Sequence, residues 1–372
     1  MLRFLCGAAC AAFLTASLLA EETIKIGEYA SLTGKEAAYG QTSHKGILMA
    51  VEEINAHGGV LGKKIELVTE DDQSKQGESA TAVKKLISRD KVVAVLGEVA
   101  SIRSLEAAPV CQTNRIPMVS SASVNSQVTA KGDYIFRVCF VDSFQGGVLA
   151  TFALNTLKAH RVAVLTSVSN AYSVGMTKIF KEHFIAGDGT IVADQKYNEG
   201  DKDFRAQLTA IKAANPDAII ATGYYTEAAL ICVQARQLGL NIPIFGGDGW
   251  DAPALLEIGG KAMEGTYFST HYSPDNPSPA VQEFNQHYRA RWGEQPDAWA
   301  ALGYDSAQVL ADAIQHAGVV SPSKIRDALA GTTDFPAVTG KITIDENRNA
   351  SKSAVILTVK DGKYQFVTAV AP

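Results

Sequence analysis

Apolar runs suited to buried strands alternate along the chain with stretches in which apolar residues recur at helical spacing. Ile47, Val51 and Ile54, for example, fall on one face of a helix. In the first part of the chain the predicted strands are 23–30, 65–70, 92–97 and 118–120, and the predicted helices are 39–55, 75–88 and 102–113. This alternation predicts a parallel, doubly wound α/β sheet.

The same alternation starts again at residue 161. Its predicted strands are 161–165, 191–197, 218–221 and 244–246, and its predicted helices are 172–183, 204–213 and 225–238. The last part of the chain adds predicted helices at 279–291, 298–317 and 324–329 and antiparallel strands at 339–344, 354–359 and 364–367. This length exceeds what one core usually holds, so we predict two α/β lobes with a cleft between them. The proline-rich segment 273–279 is interpreted as a crossing between the lobes.

The first 20 residues indicate where the protein works. Arg3 gives a short basic start, an Ala- and Leu-rich stretch follows, and Leu18-Leu19-Ala20 comes just before Glu21. This layout is typical of a secretory signal peptide and is too short and wrongly flanked for a spanning helix. We therefore predict a cleaved signal peptide over residues 1–20 and export from the cytoplasm, with a buried N-terminal helix as the alternative.

Composition and charge argue against nucleic acid as a partner. The chain is 47% hydrophobic and 20% charged, and the charges behind its formal net charge of −5 are interspersed. Because no basic stripe occurs, we expect no nucleic-acid surface. Three cysteines follow the predicted signal peptide, each in an apolar stretch and without metal-ligand spacing: Cys111, Cys139 and Cys232. We expect them to be buried free thiols.

The sequence contains no enzyme motif with adequate spacing. It has no glycine-rich nucleotide or phosphate loop, no Gly-x-Ser-x-Gly turn and no His-x-x-x-His pair. Asp71 and Asp72 could be paired catalytic carboxylates, but adjacent acids after a strand more often cap a helix or hold a loop. We therefore expect no catalysis, no metal and no other cofactor.

The loops after the predicted strands carry side chains suited to an amino acid. Ligands of open α/β sheets bind beyond the carboxyl ends of the strands. These loops supply small hydroxyls, one acid and several rings: Ser101, Ser123, Asp248, Tyr39, Tyr172, Tyr224 and Trp250. Hydroxyls and helix-start N–H groups suit a carboxylate, a buried acid suits an ammonium, and rings suit an apolar side chain. The set predicts a hydrophobic α-amino acid, although each residue alone could be a cap or a core residue.

After residue 20 essentially the whole chain resembles the periplasmic leucine/isoleucine/valine-binding family of ABC-importer receptors. The order and spacing of several short motifs carry the resemblance. They are Leu32-Thr33-Gly34, Ala38-Tyr39-Gly40, Glu53-Ile54-Asn55-Ala56, Tyr134-Ile135-Phe136-Arg137, Lys202-Asp203-Phe204, Gln234-Ala235-Arg236 and Gly246-Gly247-Asp248-Gly249-Trp250-Asp251. The resemblance implies the type I periplasmic binding fold, an α/β fold in which three chain crossings form a hinge between two doubly wound parallel-sheet lobes.

The resemblance also implies the residue limits of the two lobes and the roles of individual site residues. Lobe 1 would comprise 21–142 and 271–352, lobe 2 would comprise 143–270 and 353–372, and the crossings would fall near 141–144, 270–273 and 349–353. Ser101 and the Ala122-Ser123 loop would take the ligand carboxylate. Asp248, helped by the Ala122 carbonyl, would pair with the ammonium group, and Tyr224 would reach the ligand's polar head group from lobe 2. The side-chain pocket would be walled by Tyr39, Tyr172, Trp250 and Trp299. A periplasmic monomer and a partner ABC permease in the inner membrane are implied.

Two departures from the family pattern bear on the ligand. Val124 stands where the family usually carries a threonine that helps to hold the polar head of the amino acid, and Ser74 and Ala100 stand where some members carry a disulfide pair. An amide, a urea or an aromatic acid is therefore an alternative ligand, although Asp248 disfavours a plain carboxylic acid. From other classes, a ligand-sensing module of a signalling receptor and a secreted α/β enzyme are the alternatives.

Overall fold

Two sheets organise the chain in a computed structural model that describes residues 22–372. The predicted signal peptide lies outside the described residues. The first sheet contains β1 (Ile24–Ala30), β2 (Ile65–Asp71), β3 (Ala94–Gly97), β4 (Met118–Ser120) and β5 (Ile135–Arg137). These strands pair in parallel in the order β2-β1-β3-β4-β5. The helices between them are α1 (Ala37–Ala56), α2 (Glu78–Ser88) and α3 (Ser101–Asn114).

The second sheet begins after α4 (Asp142–Asn155). Strands and helices then alternate as β6 (Arg161–Ser167), α5 (Ala171–Ala186), β7 (Thr190–Tyr197), α6 (Arg205–Ala214), β8 (Ala218–Thr222), α7 (Tyr225–Gln237), β9 (Ile244–Gly246), α8 (Pro253–Gly259) and β10 (Tyr267–Thr270). The chain continues through α9 (Pro279–Trp292), α10 (Ala298–Ala317), α11 (Pro322–Ala330), β11 (Thr343–Ile344), β12 (Ala350–Ser351), β13 (Ala354–Lys360) and β14 (Lys363–Val370). The second sheet has the order β14-β13-β10-β9-β8-β6-β7, with β13 and β14 antiparallel.

The chain passes between the two sheets three times, and we call the units around the first and second sheets lobe 1 and lobe 2. The passages join β5 to α4, β10 to α9, and β12 to β13. Helix α10 belongs with lobe 1 because it packs closely on α1, where a Cβ at Gly46 would collide with the carbonyl of Ala300. The predicted α/β fold with two parallel-sheet lobes is confirmed. The residue limits of the lobes stay a prediction.

The last predicted strands differ from the structure in one place. Only Thr343–Ile344 forms a strand within the predicted segment 339–344. Gly340 adopts a φ of +102°, and its N–H donates to the carbonyl of Ala337, so a turn replaces the start of the strand. The predicted antiparallel strands β13 and β14 are confirmed, as is the burial of the three free cysteines.

Asp71 and Asp72 hold loops, as the interpretation from the sequence favoured. Asp71 accepts hydrogen bonds from the backbone of Leu32 and from the hydroxyl of Thr33, at 3.0 and 2.7 Å. Asp72 accepts from the hydroxyls of Ser31 and Ser79 at 2.7 and 2.8 Å.

In residues 22–372, none of the helices combines the length and apolar character that crossing a bilayer requires.

Candidate ligand site between the lobes

A small cavity lies between the lobes, beyond the carboxyl ends of their parallel strands. It is lined by Tyr39, Val99, Ser101, Ala122, Tyr172, Tyr224, Asp248, Gly249 and Trp299. In this closed arrangement the cavity measures about 10 Å³, which is roughly the room that one water molecule needs. A larger hollow of about 580 Å³ opens on the outer surface of lobe 1 between α1, α9 and α10, away from the strand ends. The strand-end cavity is the candidate site because ligands of open α/β sheets bind there.

Asp248 has the only charged side chain among the described residues that line the cavity. The residue is 2% exposed. Its Oδ1 accepts a hydrogen bond from Nε2 of Gln145 at 2.9 Å, and its Oδ2 lies 3.0 Å from Nε2 of His271. Burial lowers the pKa of the His271 imidazole below its ordinary value, although the Asp248 carboxylate acts in the opposite direction. A neutral imidazole and an amide therefore hold the carboxylate without cancelling its charge.

On the lobe 1 side, the start of helix α3 borders the cavity. Ser101 is the first residue of this helix, and its hydroxyl accepts from the backbone N–H of Asn125 at 3.2 Å. No side chain caps the helix N-terminus, where unpaired N–H groups and the helix dipole favour an anion. Ala122, from the loop after β4, lies beside it in the lining. This side of the cavity suits a carboxylate.

Four aromatic rings close the cavity, and Tyr39 is at their centre. Its ring meets those of Tyr224 and Trp299 edge-on, with centroids 5.4 and 5.3 Å apart. The Tyr39 hydroxyl crosses the cleft and donates to the carbonyl of Gly249. Tyr172 stacks on Tyr224 at 5.6 Å, and the buried hydroxyl of Tyr224 has no hydrogen-bond partner in the described part of the chain. The rings form an apolar wall with one unused polar group.

Two of the predicted site residues lie elsewhere. The Ser123 hydroxyl is 3.0 Å from the carbonyl of Glu98 and 2.8 Å from the hydroxyl of Ser104, so it faces the interior of lobe 1. The Trp250 indole is fully buried and donates to the carbonyl of Ala221 at 3.2 Å, inside the core of lobe 2. Neither side chain lines the cavity. The structure brings together the other seven: Tyr39, Ser101, Ala122, Tyr172, Tyr224, Asp248 and Trp299.

The cavity also involves residues that sequence reasoning missed. Val99 and Gly249 line it directly, and Gln145 and His271 hold Asp248 from behind. His271 directly follows the end of β10, inside a predicted chain crossing. A histidine at such a strand end is the sequence feature by which it could have been predicted near the site. Val124 is 1% exposed in the hydrophobic core and is absent from the lining.

Residues 23–363 match the family model of the periplasmic binding proteins, so the chain belongs to that family. A Leu/Ile/Val-binding protein of Rhizobium johnstonii, BraC3, is 32% identical over 93% of this chain and 95% of its own length. The solved leucine-binding protein LivK of Thermotoga maritima is 43% identical, with a TM-score of 0.90 over 94% of this chain and 99% of that one. LivJ of Streptococcus pneumoniae, solved with isoleucine, is 36% identical, with a TM-score of 0.90 over 94% of this chain and all of that one.

Proposed function

We propose that this protein is the extracytoplasmic solute-binding receptor of an ABC importer and that it closes its lobes on a branched-chain or similarly hydrophobic α-amino acid. One observation carries the choice of ligand. Asp248 is a buried carboxylate whose neighbours carry no charge to cancel its own: the Gln145 amide, the His271 imidazole, which burial favours as neutral, and the Tyr172 hydroxyl. A buried charge of this kind is stabilised by an opposite charge, and the ammonium group of an amino acid supplies one.

The remaining groups of the ligand find complementary surfaces in this assignment. Ser101 and the N–H groups at the start of α3 take the carboxylate, and the Ala122 carbonyl assists Asp248 with the ammonium. The unpartnered Tyr224 hydroxyl reaches the polar head group from lobe 2. Tyr39, Tyr172 and Trp299 contact the apolar side chain of the ligand. Because these groups come from both lobes, ligand binding is coupled to closure of the lobes.

The location and the partner follow from the same function. The chain is exported through a signal peptide over residues 1–20, works in the periplasm as a monomer and performs no catalysis. Lobe 1 comprises 21–142 and 271–352, and lobe 2 comprises 143–270 and 353–372. The closed form is presented to an ABC permease in the inner membrane, and the membership of the periplasmic binding family supports this partner.

The experiment is a thermal unfolding series with matched ligands. Leucine, isoleucine and valine are compared with isopentylamine, which lacks the carboxylate, and with 4-methylpentanoate, which lacks the ammonium group. Benzoate, an aliphatic amide and urea complete the series. A ligand present at a hundred times its Kd adds about 2.7 kcal/mol to the free energy of unfolding. We expect stabilisation only by the molecules that carry both polar groups and an apolar side chain.

The opposite pattern would contradict the proposal. Stabilisation by benzoate or 4-methylpentanoate and none by the three amino acids would assign the protein to carboxylic acids. Stabilisation by an aliphatic amide or urea alone would show that Asp248 accepts hydrogen bonds from a neutral ligand.

A further inference from the structure

We propose that Gln145 and His271 are positioning residues that fix the Asp248 carboxylate toward the ammonium group of the ligand, and that protonation of His271 weakens ligand binding. The inference rests on the proposed function. It concerns two side chains that lie outside the cavity lining and contact the ligand only through Asp248.

The two donors hold the carboxylate from both of its oxygens. Gln145 lies in the first turns of α4, directly after the first passage between the lobes, and its Nε2 is also 2.9 Å from the hydroxyl of Ser269 in β10. His271 follows β10 directly, at the start of the second passage. Asp248 is thereby tied to the chain beside both passages, and these hydrogen bonds set the orientation of its carboxylate.

The His271 ring is itself held in place. It stacks on Phe140, with ring centroids 3.7 Å apart and planes inclined by 22°, and it meets Trp299 edge-on at 6.2 Å. Because a carboxylate only accepts hydrogen bonds, Nε2 of the neutral ring carries the proton that it donates to Asp248. Nδ1 is buried and has no hydrogen-bond partner among the described residues. A second proton on Nδ1 would therefore be a buried donor without an acceptor.

Protonation of the ring changes the charge that the ligand meets. A neutral His271 leaves Asp248 negative and ready for the ammonium group, whereas an imidazolium cancels that charge from behind. The ligand and the proton therefore oppose one another, and by linkage ligand binding releases the proton. Affinity should fall as the pH falls through the pKa of His271 in the free protein.

Other titratable groups surround this pair. Lys352, on the passage into β13, acts on His271, and burial lowers its pKa to about 8 although Asp305 opposes this. Around Asp248, burial raises the pKa values of Tyr172, Tyr224, Cys139 and Asp251, that of Cys139 to about 12 and that of Asp251 to about 8. These groups keep their charge states between about pH 5 and pH 7.

Asp297 is the group whose titration could also change the ligand affinity between about pH 5 and pH 7. It precedes Trp299 at the start of α10, and burial raises its pKa to about 6. An acid-dependent loss of affinity in the wild-type protein alone would not separate the two groups. The test therefore replaces His271 itself.

The experiment measures the Kd for leucine by calorimetry at several pH values between about 5 and 7. His271→Gln keeps a donor in the place of Nε2 and cannot gain charge, His271→Phe keeps the stacking on Phe140 and removes the donor, and Gln145→Met removes the other donor. His316→Gln, at an exposed site of α10 remote from the cavity, is the matched control. Circular dichroism and thermal unfolding establish that each variant folds.

We expect the wild type and His316→Gln to lose affinity on acidification by at most tenfold per pH unit, which is the limit for one proton, with release of up to one proton on binding. His271→Gln should bind within about threefold of the wild type near neutral pH and lose the acid dependence. His271→Phe and Gln145→Met should bind about tenfold more weakly than the wild type near neutral pH, because hydrogen bonds to a charged group are lost. Of these two variants, only Gln145→Met should keep the acid dependence. If His271→Phe does not fold, His271→Gln and Gln145→Met carry the test.

An acid dependence that persists in His271→Gln would overturn the proton switch, and tight binding by Gln145→Met and His271→Phe would overturn the positioning role. A wild-type protein that binds no amino acid would instead overturn the proposed function, and this inference with it.

Discussion

Asp248 places a negative charge in the cavity that its neighbours do not cancel, and this makes a test of both binding and stability possible. Asp248→Asn removes the charge and keeps the shape. The oxygen of the new amide can still accept from Nε2 of His271, and its NH2 group can donate to Oε1 of Gln145, which has no partner among the described residues, once the Gln145 amide has turned over. We expect the affinity for leucine to fall by about 2–5 kcal/mol, because one partner of a desolvated charge pair is removed.

The ligand-free Asp248→Asn protein should unfold at the wild-type temperature or above it, since a buried uncompensated charge is removed. Calorimetry of binding and thermal unfolding without ligand measure the two effects separately. Unchanged affinity would show that the ammonium group is held elsewhere, and a large loss of stability would show that the protein itself needs the charge.

Val124 is the residue at which the chain departs from the family pattern next to the site. It is 1% exposed in the core and does not line the cavity, so Val124→Thr should change the affinity for leucine less than threefold or so. The added hydroxyl enters an apolar surrounding and should lower the free energy of unfolding by about 1–3 kcal/mol. Chemical denaturation and calorimetry check the two values. A clear gain in affinity would mean that the hydroxyl reaches the ligand.

Much of the candidate site could be predicted from the sequence because its residues follow strands. Tyr224 and Asp248 follow β8 and β9 after one glycine each, and the ends of parallel strands meet at one edge of a sheet. A position in such a loop does not determine where the side chain points. Ser123 and Trp250 occupy the expected loops but turn into the lobe interiors, because nearby backbone carbonyls accept their hydrogen bonds.

At the scale of elements, an ion pair joins the loop after β1 to the loop after β7. Nζ of Lys35 lies 2.6 Å from Oε2 of Glu199, and the carbonyl of Lys35 accepts a hydrogen bond from the hydroxyl of Tyr225 at 2.8 Å. Because Lys35 and Glu199 lie on opposite sides of the cleft, opening of the lobes would separate them. Because the Lys35 side chain is 48% exposed, the pair is worth at most about 1 kcal/mol.

We expect Lys35→Met to weaken leucine binding by no more than about fivefold and to reduce its dependence on salt, since exposed pairs are screened. Calorimetry at low and high ionic strength measures both. Lys178→Met is the matched control, because the Lys178 pair with Glu182 lies within α5 and does not cross the cleft. An equal effect of the two substitutions would show that the Lys35 pair has no part in closure.

The helices and strands differ in how clearly the sequence pattern predicts them. Helices such as α1 and α10 show a long apolar stripe, and strands such as β8 are continuous apolar runs, so their periodicity identifies them. Strands β5 and β10 have three and four residues and were not predicted, whereas the equally short β4 and β9 were predicted because they continue the alternation of strands and helices. Helix α4 is buried on most of its faces and therefore lacks an amphipathic stripe.

At the scale of the whole molecule, the closed structure leaves a cavity of only about 10 Å³, which is too small for an amino acid. A ligand must therefore enter a more open form and then be enclosed by both lobes, with some adjustment of the rings around Tyr39. A ligand shifts such an equilibrium only by its differential affinity for the closed form. Ser101 from lobe 1 and Tyr224 and Asp248 from lobe 2 supply that difference.

The last prediction follows from this closure and is tested by small-angle X-ray scattering with and without leucine. We expect the free protein to be more extended than the closed structure and the radius of gyration to decrease on saturation. The Ser101→Ala/Tyr224→Ala double variant loses one ligand contact from each lobe, so its affinity should fall and more ligand should be needed for the same compaction. A radius of gyration that does not change at saturating leucine, together with full affinity in the double variant, would show that the lobes do not clamp the ligand.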